Sequence, residues 1–117
     1  MIVEMRTYQA KVGLREAFLR AFGELSIPEH RRLGMSIAGP FLSVEDPETF
    51  FFMRGFPSMA AREELRGKFY DGPLWKEHLE NLLLPMLERY HVVVVEDAAG
   101  MLAWNEPTPV GAEKEFT

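Results

Sequence analysis

Glu4, Arg6 and Tyr8 stand at alternate positions near the start of the chain. Side chains alternate faces along a strand, so an extended Ile2–Tyr8 segment places all three on one side. An arginine inside a sheet needs a partner when buried, and Glu4 is near enough to serve. The structural reading of the trio is an internal ion pair. The functional reading makes Arg6 the anchor of a substrate carboxylate or enolate through its planar fork of donors, with Tyr8 donating a hydrogen bond beside it. Arg54 interrupts an apolar run just before Gly55. It either points to a sheet edge or joins Arg6 in an anion site.

Three histidines raise proton chemistry. His78 lies one helical turn from Trp75 and four residues before Leu82, on a mostly apolar helix face. It reads either as a packed histidine or as a general base or haem ligand in a cleft between helix and sheet. His30 follows Pro28-Glu29 near the end of a helical segment. It reads as a capping residue favoured by the helix dipole, or as part of a pocket mouth. His91 opens a strand and reads as structural. No pair has metal-ligand spacing, so no metal is expected; haem on His78 is the one cofactor alternative. Phe69, Tyr70 and Trp75 flank a helix break at Gly72 and form either core or a mobile pocket lip. The candidate site is thus Arg6 and His78 as catalytic residues, with Tyr8, His30, Arg54, Tyr70 and Trp75 binding substrate.

The positioning elements follow from periodicity. Phe50-Phe51-Phe52-Met53 and Val92-Val93-Val94-Val95 are too short for buried helices and rich in strand formers. Strands are expected over Ile2–Tyr8, Met35–Val44 with a break or bulge at Gly39-Pro40, Thr49–Phe56 and Tyr90–Glu96. Leu14, Phe18, Phe22 and Leu25 recur at helical spacing, with Pro28 kinking or ending that helix and Gly34 closing it. Ser58 is a plausible cap for a second helix, and Pro73 opens a third, whose apolar face is Leu74, Trp75, His78, Leu79, Leu82 and Leu83.

The order strand–helix–strand–strand–helix–strand is the ferredoxin-like βαββαβ arrangement, an α+β fold with an antiparallel four-stranded sheet. Right-handed crossovers place both helical layers on one sheet face. The two greasy runs make the other face apolar as well, and residues 98–117 form a tail too polar to cover much of it. Exposing several Phe and Val side chains would cost several kcal/mol at about 25 cal/mol per Å². The expected remedy is a homodimer, with two sheets enclosing a barrel-like interior and residues 1–97 as the domain.

At 117 residues, 47% hydrophobic and 26% charged, the chain has the composition of one ordinary globular domain. A net charge of −5 argues against nucleic acid and against anionic membrane surfaces as partners. Phe50–Phe56 resembles the aromatic third strand of an RNA-recognition motif, but the acidic charge and missing basic positions argue against that too. Zero cysteines exclude disulfides and thiolate chemistry. No apolar stretch is long enough to span a bilayer, and Met1-Ile2-Val3 enters a strand pattern without a basic-then-apolar leader. A cytoplasmic protein is expected.

Glu4-Met5-Arg6-Thr7-Tyr8 followed by Gly13 resembles the opening motif of NIPSNAP-type domains, roughly E-L-R-T-Y and then a Pro-Gly turn. Pro28…Gly34 and Phe69-Tyr70-x-x-Pro73-x-Trp75 resemble the same pattern, and the likeness runs from residue 2 to about 96. It departs at Val12, where the family's turn carries proline, and in the tail. The resemblance implies a dimeric α+β barrel, a group that includes cofactor-free monooxygenases, haem-degrading proteins and small-acid isomerases. The expected function is binding or turnover of a small, largely apolar anionic or enolisable molecule, monooxygenase-like. The alternatives are a haem protein and a non-catalytic dimeric ligand-binding or scaffold module.

Overall fold

The computed structural model describes residues 1–104. Four strands, β1 (Ile2–Ala10), β2 (Ser36–Leu42), β3 (Thr49–Phe56) and β4 (Leu87–Glu96), form one antiparallel sheet in the order β2-β3-β1-β4. The first crossover holds α1 (Arg15–Ala21) and α2 (Ile27–Arg32), and the second holds α3 (Met59–Tyr70) and α4 (Glu80–Leu83). This is the ferredoxin-like α+β arrangement, with β1 and β3 in the middle. Turn and cap chemistry falls where the residue types demand it. Gly13 and Gly34 sit at φ +78° and +94°, and the Ser58 hydroxyl accepts the Ala61 N–H at 3.1 Å to start α3. The register of β2 against β3 slips between Ala38 and Phe41, at the Gly39-Pro40 position read as a break.

The register settles which face of β1 meets the helices. Glu4 pairs with Arg54, Arg6 with Phe52 and Tyr8 with Phe50, and all six face the helical layer. The core forms there from Phe18, Phe22, Phe50, Phe52, Phe56, Phe69, Leu79 and Leu83. The opposite face carries Met5, Thr7, Phe51, Met53 and Val93, with Phe41 54% and Val93 45% exposed. The tail covers one end of that face. A Cβ on Gly55 would lie 2.7 Å from the Trp104 ring and 2.8 Å from Met1 Sδ, so a larger residue there would push these two side chains aside. The remainder of the tail, 105–117, lies outside the described residues.

Both helical crossovers contain a widened π turn, at Phe22–Ser26 and at Trp75–Leu79. In each, a backbone N–H reaches back five residues: Ile27 to Phe22 and Glu80 to Trp75. One extra residue per turn rotates everything that follows. Leu79, not His78, therefore comes under Leu74 and Trp75, and Leu83 follows it into the core. The expectation that His78 and Leu82 share the apolar face is corrected here: both are exposed. Leu79→Ala should cost about 2–5 kcal/mol of stability and His78→Ala no more than about 0.5 kcal/mol, measured by urea unfolding. Comparable losses from the two would overturn the π-turn register.

Candidate functional site

Strand β1 carries Glu4 fully buried in the centre of the sheet. One carboxylate oxygen accepts from Arg6 Nη1 at 2.8 Å and from Arg54 Nε at 2.6 Å. The other accepts from Arg62 Nε at 2.7 Å, and Arg66 Nε approaches it to 3.5 Å. Four guanidiniums thus surround one carboxylate. Burial pushes the Glu4 pKa up, but the charge and hydrogen bond of Arg54, with Arg6 and Arg62, outweigh it and hold the group at about 2.

The arginines are fixed at their outer ends as well. Arg6 donates through Nε and Nη2 to the Tyr8 hydroxyl at 3.2 and 2.9 Å. Arg54 Nη1 donates to the Tyr70 hydroxyl at 3.0 Å and to His30 Nε2 at 3.1 Å. The His30 tautomer follows from its neighbours. Nδ1 lies 2.6 Å from the Ser26 carbonyl oxygen, which can only accept, so Nδ1 carries the proton and Nε2 offers its lone pair to Arg54. Burial, and then the Arg54 charge, lower the His30 pKa to about 3 and keep the ring neutral. Burial also raises the Tyr8 pKa, against the pull of Arg6.

These groups open onto a cavity of about 270 Å³ between the sheet and the helices. Arg6, Tyr8, His30, Arg54, Arg66 and Tyr70 form its polar wall, and Phe18, Phe22, Phe52, Phe69, Trp75 and Leu83 much of the rest. Tyr70 and Trp75 meet edge to face at 5.0 Å, and His30 packs 4.3 Å from Phe69. Ser26, Tyr90, Leu84 and Leu87 complete the lining, with Tyr90 and Leu84 partly in solvent. Glu4 and Arg62 do not line the cavity. The negative charge therefore lies behind the positive wall. Arg54 Nη2 is buried and has no hydrogen-bond partner among the described residues, an arrangement that calls for an acceptor.

Six of the seven residues expected in the site are brought together: Arg6, Tyr8, His30, Arg54, Tyr70 and Trp75. Arg54 is interior, not at a sheet edge. His30 lies deep in the cavity wall, not at its mouth. His78 does not line the cavity and is exposed, for the π-turn reason given above. Arg62 and Arg66 were not expected. Their spacing of four in α3 is the signal that pairs them on one helix face. Among the described residues no cluster of three His, Cys, Asp or Glu could hold a metal ion, and no helix is long and apolar enough to cross a membrane.

The family model for NIPSNAP matches residues 3–93. The chain belongs to the NIPSNAP family. An uncharacterized NIPSNAP-like domain protein from Burkholderia xenovorans is similar at TM-score 0.77 and 19% identity, covering 94% of this chain and 96% of that one. A NIPSNAP family protein from Agrobacterium tumefaciens is similar at TM-score 0.74 and 25% identity, over 86% of this chain and 98% of that one. The fold is shared more widely. A structure described as an antibiotic biosynthesis monooxygenase from Nitrosomonas europaea, with that activity given as putative, matches at TM-score 0.66 and 15% identity, over 84% and 99% of the two chains. No curated protein matches. For this NIPSNAP chain the buried acid and imidazole set a pH dependence. Unfolding lets His30 take a proton near pH 6.5, whereas the folded ring resists to about 3. Its contribution to stability is complete above pH 6.5 and is lost as the pH falls toward 3. Glu4 contributes fully above pH 4.5 and loses its contribution as the pH falls toward 2. Urea unfolding should show stability declining from pH 7 to 5 by up to about 1.4 kcal/mol per pH unit, more steeply below 4.5. The decline above pH 5 should flatten in His30→Gln. A profile without slope from pH 7 to 5 would show that His30 is not held neutral.

Proposed function

We propose that this NIPSNAP protein is a homodimeric module that binds a small, largely apolar organic anion in the cavity between sheet and helices. The observation that carries the reading is the surplus of positive charge on an aromatic wall: Arg6, Arg54 and Arg66 face the cavity, while their shared carboxylate stands behind them. The cavity lies just below the usual range for ligand pockets, roughly 300–1,000 Å³. That suits a molecule of about one ring. The rings keep water from the charges and so strengthen their pull on an anion.

The site holds an anion better than it makes one. Glu4, with its lowered pKa and three guanidinium hydrogen bonds, is a poor base. Both ring nitrogens of His30 are engaged. What the wall offers is stabilisation of negative charge, as in an oxyanion hole. The monooxygenase described among the structural relatives shares a fold at 15% identity and lends no residue to this argument. Against the haem alternative stand the exposure of His78, outside the cavity, and the two contacts that occupy the His30 nitrogens.

The dimer half of the proposal rests on the sheet face away from the helices, where Phe41 and Val93 are exposed beside Met5, Phe51 and Met53. Sedimentation should give a dimer for the native chain and a folded monomer for Val93→Lys; a native monomer at micromolar concentration would overturn it. For the ligand, calorimetric titration with phenylacetate should show one site per chain. Arg66→Gln, which alters a partly exposed arginine, should weaken binding about 10-fold to 100-fold. Undiminished affinity in that variant, or equal binding of phenethylammonium, would defeat the anion reading.

A further inference from the structure

The buried polar atoms of the cavity wall are nearly all donors. The Tyr8 oxygen accepts from Arg6 twice, and the Tyr70 oxygen accepts from Arg54. A hydroxyl that accepts from a guanidinium still has its own proton to give. Neither proton meets an acceptor among the described residues, and the same holds for Arg54 Nη2. On the accepting side, His30 Nε2 is taken by Arg54. Ser26 Oγ, 3.4 Å from His30 Nδ1, is a rotor that donates as readily as it accepts.

The donors come as two matched pairs. Arg6 with Tyr8 and Arg54 with Tyr70 are held side by side, because Arg6 Nη1 and Arg54 Nε share the same Glu4 oxygen. Each pair ends in a hydroxyl proton, and the second adds the free Nη2. A ligand group that itself donates, such as an amide NH₂, would face only donors and leave them unpaired. A group with oxygens in reach of both pairs would satisfy them together.

The geometry points to a ligand whose polar end presents only acceptor oxygens, spread over two adjacent carbons: a 2-oxocarboxylate on an apolar ring. This rests on the organic-anion reading above and narrows it. It makes the tyrosine hydroxyls specificity determinants, distinct from the arginines that supply charge.

The test uses three molecules of nearly equal size, phenylglyoxylate, phenylacetate and phenylacetamide, titrated calorimetrically against the full chain. Phenylglyoxylate should bind about 5-fold or more tighter than phenylacetate, and phenylacetamide about 10-fold or more weaker. In a Tyr8→Phe/Tyr70→Phe double variant, phenylacetate should still bind through the arginines while the preference for the oxo acid disappears. If phenylacetate binds but phenylglyoxylate shows no advantage over it, the acceptor rule is overturned and the anion reading stands; if the neutral phenylacetamide matches phenylacetate, both fall. If neither acid binds, the anion reading falls and this inference with it. Should the double variant unfold, the native chain's ranking of the three ligands decides alone.

Discussion

A single carboxylate in the middle of the sheet organises this molecule. Glu4 joins β1 to β3 through Arg54, and both strands to α3 through Arg62 and Arg66. Taking such a charge out of water costs several kcal/mol, and only close, well-directed guanidinium bonds offset that cost. Removing the acid would leave arginines facing one another in a low-dielectric interior, so the group cannot be traded for an apolar residue unless they change with it. The same sharing leaves each arginine only partly neutralised. The potential that remains is directed toward the cavity, where Arg6, Arg54 and Arg66 form part of the wall.

Aromatic packing converts that potential into a site. Tyr8 lies 5.0 Å from Phe52 and 5.3 Å from Tyr90, and Phe22 lies 4.7 Å from Phe52, so the rings form one continuous surface beside the charges. Arg54 and Arg66 each lie 5.6 Å from the Tyr70 ring. Rings of this kind do two things at once. They exclude the water that would screen the guanidiniums, and they hold planar donors in fixed planes. The neutral His30 completes the arrangement, since a charged imidazole next to Arg54 would repel it, whereas the neutral ring accepts its N–H.

How much of this was legible in the chain depends on the period each element obeys. The strands were readable because their apolar runs are too short for buried helices and rich in strand formers, and the two-residue period of a strand then put Glu4, Arg6 and Tyr8 on one face. Ser58, Gly13 and Gly34 marked boundaries by their backbone chemistry. Which face of β1 met the helices was not legible, since both faces of the sheet are apolar and register is a pairing property. His78 was misplaced because a period of 3.6 was assumed across Trp75–Leu79, where a π turn inserts a residue without any sequence signature. Arg62 and Arg66 were missed for a different reason. They sit among Glu63, Glu64 and Lys68 on a helix that reads as solvated, and only a buried acid on a strand some sixty residues earlier draws them inward.

The proposed dimer and the cavity are not independent, because the two faces of β1 and β3 belong to the same strands. Met5 and Met53 point away from the helices; their neighbours Glu4, Arg6 and Arg54 point toward them. Pressing a second sheet against the outer face would hold β1 and β3 flat against each other, and with them the separation of the two arginine–tyrosine pairs. In the proposed ligand site, that separation is what would discriminate between one acceptor oxygen and two. A strand that breathes by even a fraction of an ångström would blur it, since hydrogen bonds weaken quickly with distance and angle. Assembly through the far face would therefore act on ligand choice without contributing any side chain to the cavity. The physical link is the pleat itself, which commits every second residue to one task and the residues between them to the other.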